Sequence, residues 1–379
     1  MRTTTTLLVF SVVCLLGLGI VILTSTSALH AELLYGDPHF FLKRQSLWMI
    51  LGIGVASFTA WFPYMYWRQL AIPLALISLV LLVMVLIPGI GVEIKGSSRW
   101  LRLGGINVQP SEFAKLALIV WLAWWMAMQK RRSQQIFRGW FVPLTVLGLF
   151  AVLILLEPDY GTTALLGVVG LLVMFMGGTR LGYLAVTGVV GAVGFGLMVA
   201  QNPVRRMRVL AFLEPEKYQS DEAYQLIQAL YAFGLGGRTG VGLGDSLQKR
   251  HYLPEAHTDF IFAILGEELG FLSTIGVVLA FVVILVCGLN ISRRAIDPFG
   301  RLLAFGITAM ITLQAALNIA VVTGALPTKG IALPFISFGG SSMVTTMAMV
   351  GILLNVSRYA ADPFDRAEDR IIKDRPLDF

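Results

Sequence analysis

Apolar residues along this chain run in long, nearly unbroken blocks rather than in the one-faced or alternating patterns of a fold surrounded by water. Blocks at 6–26, 45–63, 70–88, 112–128, 140–156, 161–178, 181–200, 261–289, 303–325 and 339–357 are separated mostly by short polar turns. A helix of about 20 residues crosses a bilayer core, and helices or closed barrels alone satisfy their backbone there. The pattern predicts an all-α polytopic membrane protein with about ten transmembrane helices. One membrane domain would cover 1–379, with a large extracytoplasmic loop at 201–260 and a charged, mobile cytoplasmic tail at 358–379. The first block is followed by Ser25-Thr26-Ser27-Ala28, which resembles a signal-peptide cleavage region. Only Arg2 precedes it and further spans follow, so it is read as an uncleaved first span.

Composition agrees with the pattern. Of 379 residues, 56% are hydrophobic and 13% charged, where a soluble domain carries about 25% charged. The net charge of +7 raises the possibility of nucleic-acid binding, but its placement follows the membrane instead. With the N-terminus inside, the inner side holds Arg2, Arg68, Lys130, Arg131, Arg132, Arg138, Arg180, Arg293, Arg294, Arg301 and the basic residues from Arg358 to Arg375. These outnumber Lys43, Arg44, Lys95, Arg99, Arg102 and Lys329 in the short outer loops, so both termini are expected in the cytoplasm. Cys14 and Cys287 lie inside apolar blocks and read as small hydrophobes rather than as a disulfide or metal pair.

Two loops look like more than connectors. Segment 89–111 has Gly, Ser and Pro turns around Gly96-Ser97-Ser98-Arg99-Trp100. In 201–260, Ser220 is placed to cap a helix with Asp221 and Glu222 in its first turn. Ala223, Leu226, Ile227, Leu230 and Phe233 would share its apolar face, and Gly234 and Gly236 end it, as for a helix lying at the outer interface. The glycines from Gly234 to Gly244 lack the Gly-Lys-Ser/Thr of a phosphate-binding loop and follow no strand.

Ionisable groups beside lipid are costly and mark candidate sites. Glu112 and Lys115, in Gln109-Pro110-Ser111-Glu112-Phe113-Ala114-Lys115, fall on one helix face and would offset each other's charge, as a structural pair or as part of a site. Glu157-Pro158-Asp159 forms a short turn; turn chemistry accounts for Glu157, while Asp159 is open to substrate or cation binding. Asp259 opens a run of about 30 residues, roughly 45 Å of helix. That exceeds a bilayer core of about 30 Å, so its first part, with Glu267 and Glu268, should line a cavity or pack in protein. Asp259 there is a candidate general base or a plain helix cap, and His257 a loop histidine. Finally, Leu326-Pro327-Thr328-Lys329-Gly330 and Leu333 to Ser342 carry Pro and Gly too densely for a span. Lys329, Ser337 and Ser341 there could cradle an anion, or the segment is a re-entrant turn.

Together the strings SSRWLRLGGINVQPSEFAK, EPDYGTT, AYQLIQALYAFGLGG, GLGDSLQKRHYLPEAHTDFIFAILGEELGF and LPTKGIALPFISFGGSS resemble the SEDS family (shape, elongation, division and sporulation; FtsW, RodA and SpoVE) over about 45–358. LPTKG and EPDYGT with YLPEAHTDF resemble its FtsW branch; Phe338 departs from the Tyr usual in the FISYGGSS string. The resemblance implies a peptidoglycan glycosyltransferase that polymerises lipid II on the outer face of the cytoplasmic (inner) membrane, at the division septum, with a class B penicillin-binding protein and other division proteins. It implies Asp259 as the catalytic aspartate and Glu112, Lys115 and Arg99 as cavity residues. A divalent cation, Mg or Mn, is expected to assist, with no organic cofactor and no nucleic-acid partner. The leaving pyrophosphate needs positive charge; Lys249 and Arg250 are the first candidates, then Arg99 and Lys329. The alternatives are a lipid II flippase, an elongation polymerase of the RodA kind, and a non-catalytic division scaffold.

Overall fold

The computed structural model describes residues 1–94, 97–104, 106–218, 223–249 and 252–360. In chain order the elements are α1 (Arg2–Tyr35), α2 (Phe40–Trp61), α3 (Met65–Leu86), β1 (Gly91–Ile94), β2 (Ser97–Leu103), β3 (Ile106–Val108), α4 (Pro110–Met128), α5 (Val142–Leu156), α6 (Tyr160–Met176), α7 (Leu181–Gln201), α8 (Pro203–Leu213), α9 (Tyr224–Gly236), α10 (Ile261–Arg294), α11 (Pro298–Val322) and α12 (Gly340–Arg358). Each of the ten apolar blocks is a helix. Eight helices among the described residues are long and apolar enough to cross a membrane, α5 counted together with the helical turn Ile136–Phe141 that leads into it. The other two blocks are α6, which has 17 residues, and α2, whose first two turns carry Lys43-Arg44-Gln45. The expected tail beyond residue 360, Lys95, Arg250, and the cap Ser220 with Asp221 and Glu222 lie outside the described residues.

Polar starts punctuate the apolar blocks. Asp297 accepts from the Phe299 and Gly300 amides at 3.0 and 3.1 Å, with Pro298 at the first position of α11. Asn202 and Pro203 open α8 in the same way, and Asp159 caps α6 through the Thr162 amide at 3.1 Å. Outward faces stay apolar: Ile50, Leu76, Val152, Val189 and Leu272 are all exposed, which suits lipid and not water. α4, α11 and α12 form the inner part of the bundle, whereas α7 buries only Leu184.

Hydrogen bonds assign the ends. Thr5 and Ser357 hydroxyls lie 3.3 Å apart, the Tyr64 amide donates to Asn355 at 2.8 Å, and the Tyr64 hydroxyl donates to Asp297. The α1 start, the α12 end and the α2–α3 and α10–α11 turns therefore share one end. The opposite end holds the irregular segments, where Arg99 and Arg205 reach the 157–159 turn and the Phe338 amide donates to the His257 carbonyl at 3.1 Å.

Two features there correct the sequence reading. Segment 89–111, expected to be more than a connector, adds strands to a fold read as all-α: β1, β2 and β3 make a small antiparallel sheet, ordered β1-β2-β3, with Leu101 opposite both Gly91 and Val108. In α9 the inward face is Leu226, Ala229 and Ala232 rather than one containing Leu230, which is 44% exposed. Small residues win because α9 packs closely against the start of α10.

The long run after Asp259 divides as its length requires. Gly270 leaves helical geometry at φ 75°, ψ −175°, breaking α10. Ile261 through Glu268 are buried on all sides, while Phe271 and Leu272 beyond the break face outward. The glycine-rich segment after α9 wraps the buried part. Gly240 has φ +82°, and a Cβ there would stand 2.1 Å from the Glu268 carbonyl oxygen. Gly240→Ala is expected to cost at least about 1–3 kcal/mol, read as a lowered thermal midpoint in detergent.

Candidate active site

At the end opposite the termini a cavity of about 870 Å³ opens between β2, the start of α4, the 157–160 turn, α8, the 254–260 segment, α11 and the 328–342 segment. Seven of the residues singled out from sequence line it: Arg99, Glu112, Lys115, Asp159, Asp259, Lys329 and Ser341. They come from distant parts of the chain, so each is positioned by a different piece of local structure.

Pro110 starts α4, placing Glu112 and Lys115 one turn apart on its inner face. The Lys115 ammonium sits 2.8 Å from the Glu112 carboxylate and donates to Gln314 Oε1 at 2.8 Å. Gln314 in turn donates to the Ala332 carbonyl at 2.9 Å, tying α4 to α11 and the 328–342 segment. Ser341 accepts from the Gln109 amide at 3.0 Å and closes that side.

Arg99, on β2, donates to the carbonyls of Glu157 and Pro158 at 3.0 and 2.6 Å. Arg205, on α8, donates to the same Pro158 carbonyl at 2.9 Å, with its guanidinium 3.7 Å from the Tyr160 ring centroid. Two cations from two different elements thus hold one turn. Asp159 is engaged in capping, its second oxygen accepting from the Thr162 hydroxyl at 2.8 Å.

Glu157, in the turn between α5 and α6, is fully buried. Burial, then repulsion from Asp159, pushes its carboxyl up to about 8 against the pull of Arg99. An unfolded chain would ionise near 4.5, so the native state holds the extra proton between those values and loses stability as pH rises from 4.5 to about 8. Glu157→Gln should flatten that slope: the thermal midpoint of the natural protein falls between about pH 5 and 8, and that of the variant does not.

Asp259 stands just before α10. The residue at the cap position is Phe260, so the plain-cap reading does not apply. Asn318, within α11, donates to both the Asp259 carbonyl at 2.8 Å and the Ile331 carbonyl at 2.6 Å, fastening the aspartate to the 328–342 segment. A Cβ at position 330 would come within 2.9 Å of Asp259 Oδ2, so Gly330 leaves the carboxylate its place in the cavity. Glu255 and Thr258 line the same wall.

Three expected site residues stand elsewhere or outside the description. Lys249 is 2.9 Å from Glu268 and from the Ser25 hydroxyl, pinning the glycine-rich segment to α1 and α10; it does not line the cavity. Beside it the buried Glu267 accepts from the Ser246 hydroxyl and from the Leu247 amide at 2.8 Å. Glu267 and Glu268 are thus packed in protein, one of the two placements expected of them, and organise a loop. Ser337 is also structural: its hydroxyl accepts from the Leu333 amide at 2.8 Å within a buried turn. Arg250 lies outside the described residues.

Sequence reasoning missed Arg205, Arg208, Gln314 and Asn318. In the sequence the first two are charges of a long loop. Their signal was the Asn202-Pro203 helix start, which sets Arg205 and Arg208 three apart on α8. Gln314 and Asn318 were legible as amides inside an apolar block. The donor set does not fit a protein-held divalent cation: no group of three or more His, Cys, Asp or Glu occurs among the described residues, Glu112 is paired, and Asp159 caps a helix.

Residues 6–362 match the cell cycle protein family of FtsW, RodA and SpoVE. A relative from Geobacter sulfurreducens named "Probable peptidoglycan glycosyltransferase FtsW" is 44% identical over 347 residues, covering 91% of this chain and 92% of its own. Stage V sporulation protein E of Bacillus subtilis is 42% identical over 355 residues, covering 93% and 97%. Among solved structures, a chain from work on coordination of polymerization and crosslinking by a peptidoglycan synthase complex superimposes with TM-score 0.76 at 28% identity, covering 93% of this chain and 96% of that one. The rod shape determining protein RodA of Thermus thermophilus does so with TM-score 0.69 at 26% identity, covering 94% and 97%.

Proposed function

This chain belongs to the FtsW/RodA/SpoVE family of cell cycle proteins, and we propose that it uses the Asp259 cavity to polymerise lipid II into glycan strands. It is a multi-pass membrane protein and a peptidoglycan glycosyltransferase. The observation that carries the site is the convergence of Asp259 with Arg99, the Glu112–Lys115 pair and Lys329 around one polar cavity at one end of the bundle.

The chemistry follows from the groups present. The Asp259 carboxylate takes the proton of the acceptor sugar's 4-hydroxyl. That oxygen forms the new bond to the donor's anomeric carbon as the bond from that carbon to the diphosphate breaks, inverting the centre. The polyprenyl diphosphate departs with the bonding pair, and fixed positive charge near its oxygens stabilises it. Buried Lys115 and Gln314 line the same cavity. The cavity carboxylates form no ligand set, so no step is assigned to a metal held by the protein.

Placement in the cytoplasmic membrane at the septum, with a class B penicillin-binding protein as crosslinking partner, is supported by the FtsW relatives and by the synthase-complex likeness. The test is to purify the protein with such a partner, supply lipid II and resolve the products by size. Glycan ladders are expected. Movement of labelled lipid II across vesicles with no polymer would mean a transporter, and a fluorescent fusion spread along the side wall would mean elongation.

A further inference from the structure

α11 lies in the inner part of the bundle, yet its apolar block contains two carboxamides, Gln314 and Asn318. Four residues apart, they stand one turn above the other on the same helix face. Both are buried, at 4% and 1% exposure. A buried amide is costly unless its polar atoms find partners, and both side chains find them in distant parts of the chain.

Their donors go to backbone carbonyls of irregular chain. No helix or strand occurs between α11 and α12, and lipid offers such carbonyls no partner. Gln314 Nε2 donates to the Ala332 carbonyl at 2.9 Å, and Asn318 Nδ2 to the Ile331 carbonyl at 2.6 Å. Successive turns of one helix thus hold successive carbonyls of the segment. The second Asn318 donor goes to the Asp259 carbonyl at 2.8 Å. Among the described residues nothing donates to Asn318 Oδ1, so the residue serves through its donors. Gly330, which precedes the two held carbonyls, is where a Cβ would come within 2.9 Å of Asp259 Oδ2. One amide therefore ties the backbone of the aspartate to the stretch of chain against which its carboxylate lies.

Resting on the glycosyltransferase reading, we propose that Asn318 is a positioning residue for that reaction. By bonding the Asp259 and Ile331 carbonyls together it seats the aspartate against Gly330 and aims its carboxylate at the acceptor hydroxyl. Gln314 keeps the adjoining Ala332 in the same register and, through Lys115, ties that register to α4. A catalytic group displaced by about 1 Å can lose about 10²-fold in rate. A clamp that only held the bundle together would instead take stability and substrate affinity with it. A positioning clamp takes the rate of folded, substrate-loaded protein.

The test uses the full-length protein with a class B penicillin-binding protein in phosphatidylcholine nanodiscs. It measures the equilibrium Kd for lipid II and the single-turnover rate at saturating lipid II. Asn318→Leu keeps a branched side chain and removes both donors; the rate should fall about 10²-fold while the Kd stays unchanged. Asn318→Gln keeps the donors on a longer stem and should recover part of the loss. Thermal midpoints and size exclusion identify a variant that fails to fold, and Gly330→Ala then decides. Its methyl displaces the Asp259 carboxylate from the other side and removes no hydrogen bond, so the rate should fall with midpoint and Kd unchanged. A folded Asn318→Leu at the natural rate overturns the proposal, and so does Gly330→Ala at the natural rate. Rate and affinity falling by the same factor in Asn318→Leu also overturn it, since the amide would then shape the cavity as a whole. Natural protein that makes no glycan sinks the enzymatic reading itself, whereas glycan made equally well by folded Asn318→Leu sinks the positioning role alone.

Discussion

Asp259→Ala stops glycan synthesis: the polymerisation rate falls about 10²–10⁴-fold, the usual worth of a positioned general base. The effect is expected in kcat, because the side chain acts on the proton of a hydroxyl already bound by other groups. Asp259→Asn is the sharper variant. It keeps the shape of a side chain whose Oδ2 lies close to Gly330, and the backbone carbonyl that Asn318 grips is untouched. Thermal unfolding should therefore stay at the natural midpoint while the glycan ladder disappears. Polymer formed at the natural rate by Asp259→Asn would show that another group takes the proton, and Glu255, on the same wall, would be examined next.

Lys115→Met has the second large effect, and it reaches stability as well as activity. The side chains of Lys115 and Glu112 are 4% and 10% exposed, so removing the ammonium leaves a carboxylate buried with no counter-charge. Breaking a buried pair from one side costs about 3–5 kcal/mol, whereas replacing both partners by neutral groups is often close to neutral. Lys115→Met should therefore lower the thermal midpoint strongly, and Lys115→Met with Glu112→Gln should recover most of it. Activity should not return in the double variant, since Lys115 lines the cavity and no longer holds Gln314. If the double variant unfolds as early as Lys115→Met alone, an unpaired buried carboxylate is not the cause of the loss, and that account is refuted.

The contrast between these residues and the misread ones shows what the chain discloses. Glu112 and Lys115 were legible as a pair because three-residue spacing on one helix is a local fact. Asp259 was legible because the run behind it is too long for a bilayer, and the break at Gly270 divides it into a buried piece and a lipid-facing piece. Glu267 and Glu268 carry the same local signal, yet they serve the glycine-rich loop through Ser246, Leu247 and Lys249. Whether a buried acid does chemistry or holds a loop depends on which distant groups reach it. The β1–β3 sheet escaped notice because strands of four, seven and three residues between Gly and Ser turns have no hydrophobic period to read.

By itself the sequence determined the membrane class, the ten helical blocks and the end of the bundle that carries the polar motifs. Those follow from the cost of exposing backbone and charge to lipid, which acts on each segment separately. Only the tertiary structure decided that seven of the expected residues share one chamber, that Lys249 and Ser337 do not, and that Arg205 and Arg208 join Lys329 there. Those outcomes rest on contacts between residues far apart in the chain, such as Arg99 and Arg205 on one Pro158 carbonyl, and no local pattern encodes such a meeting.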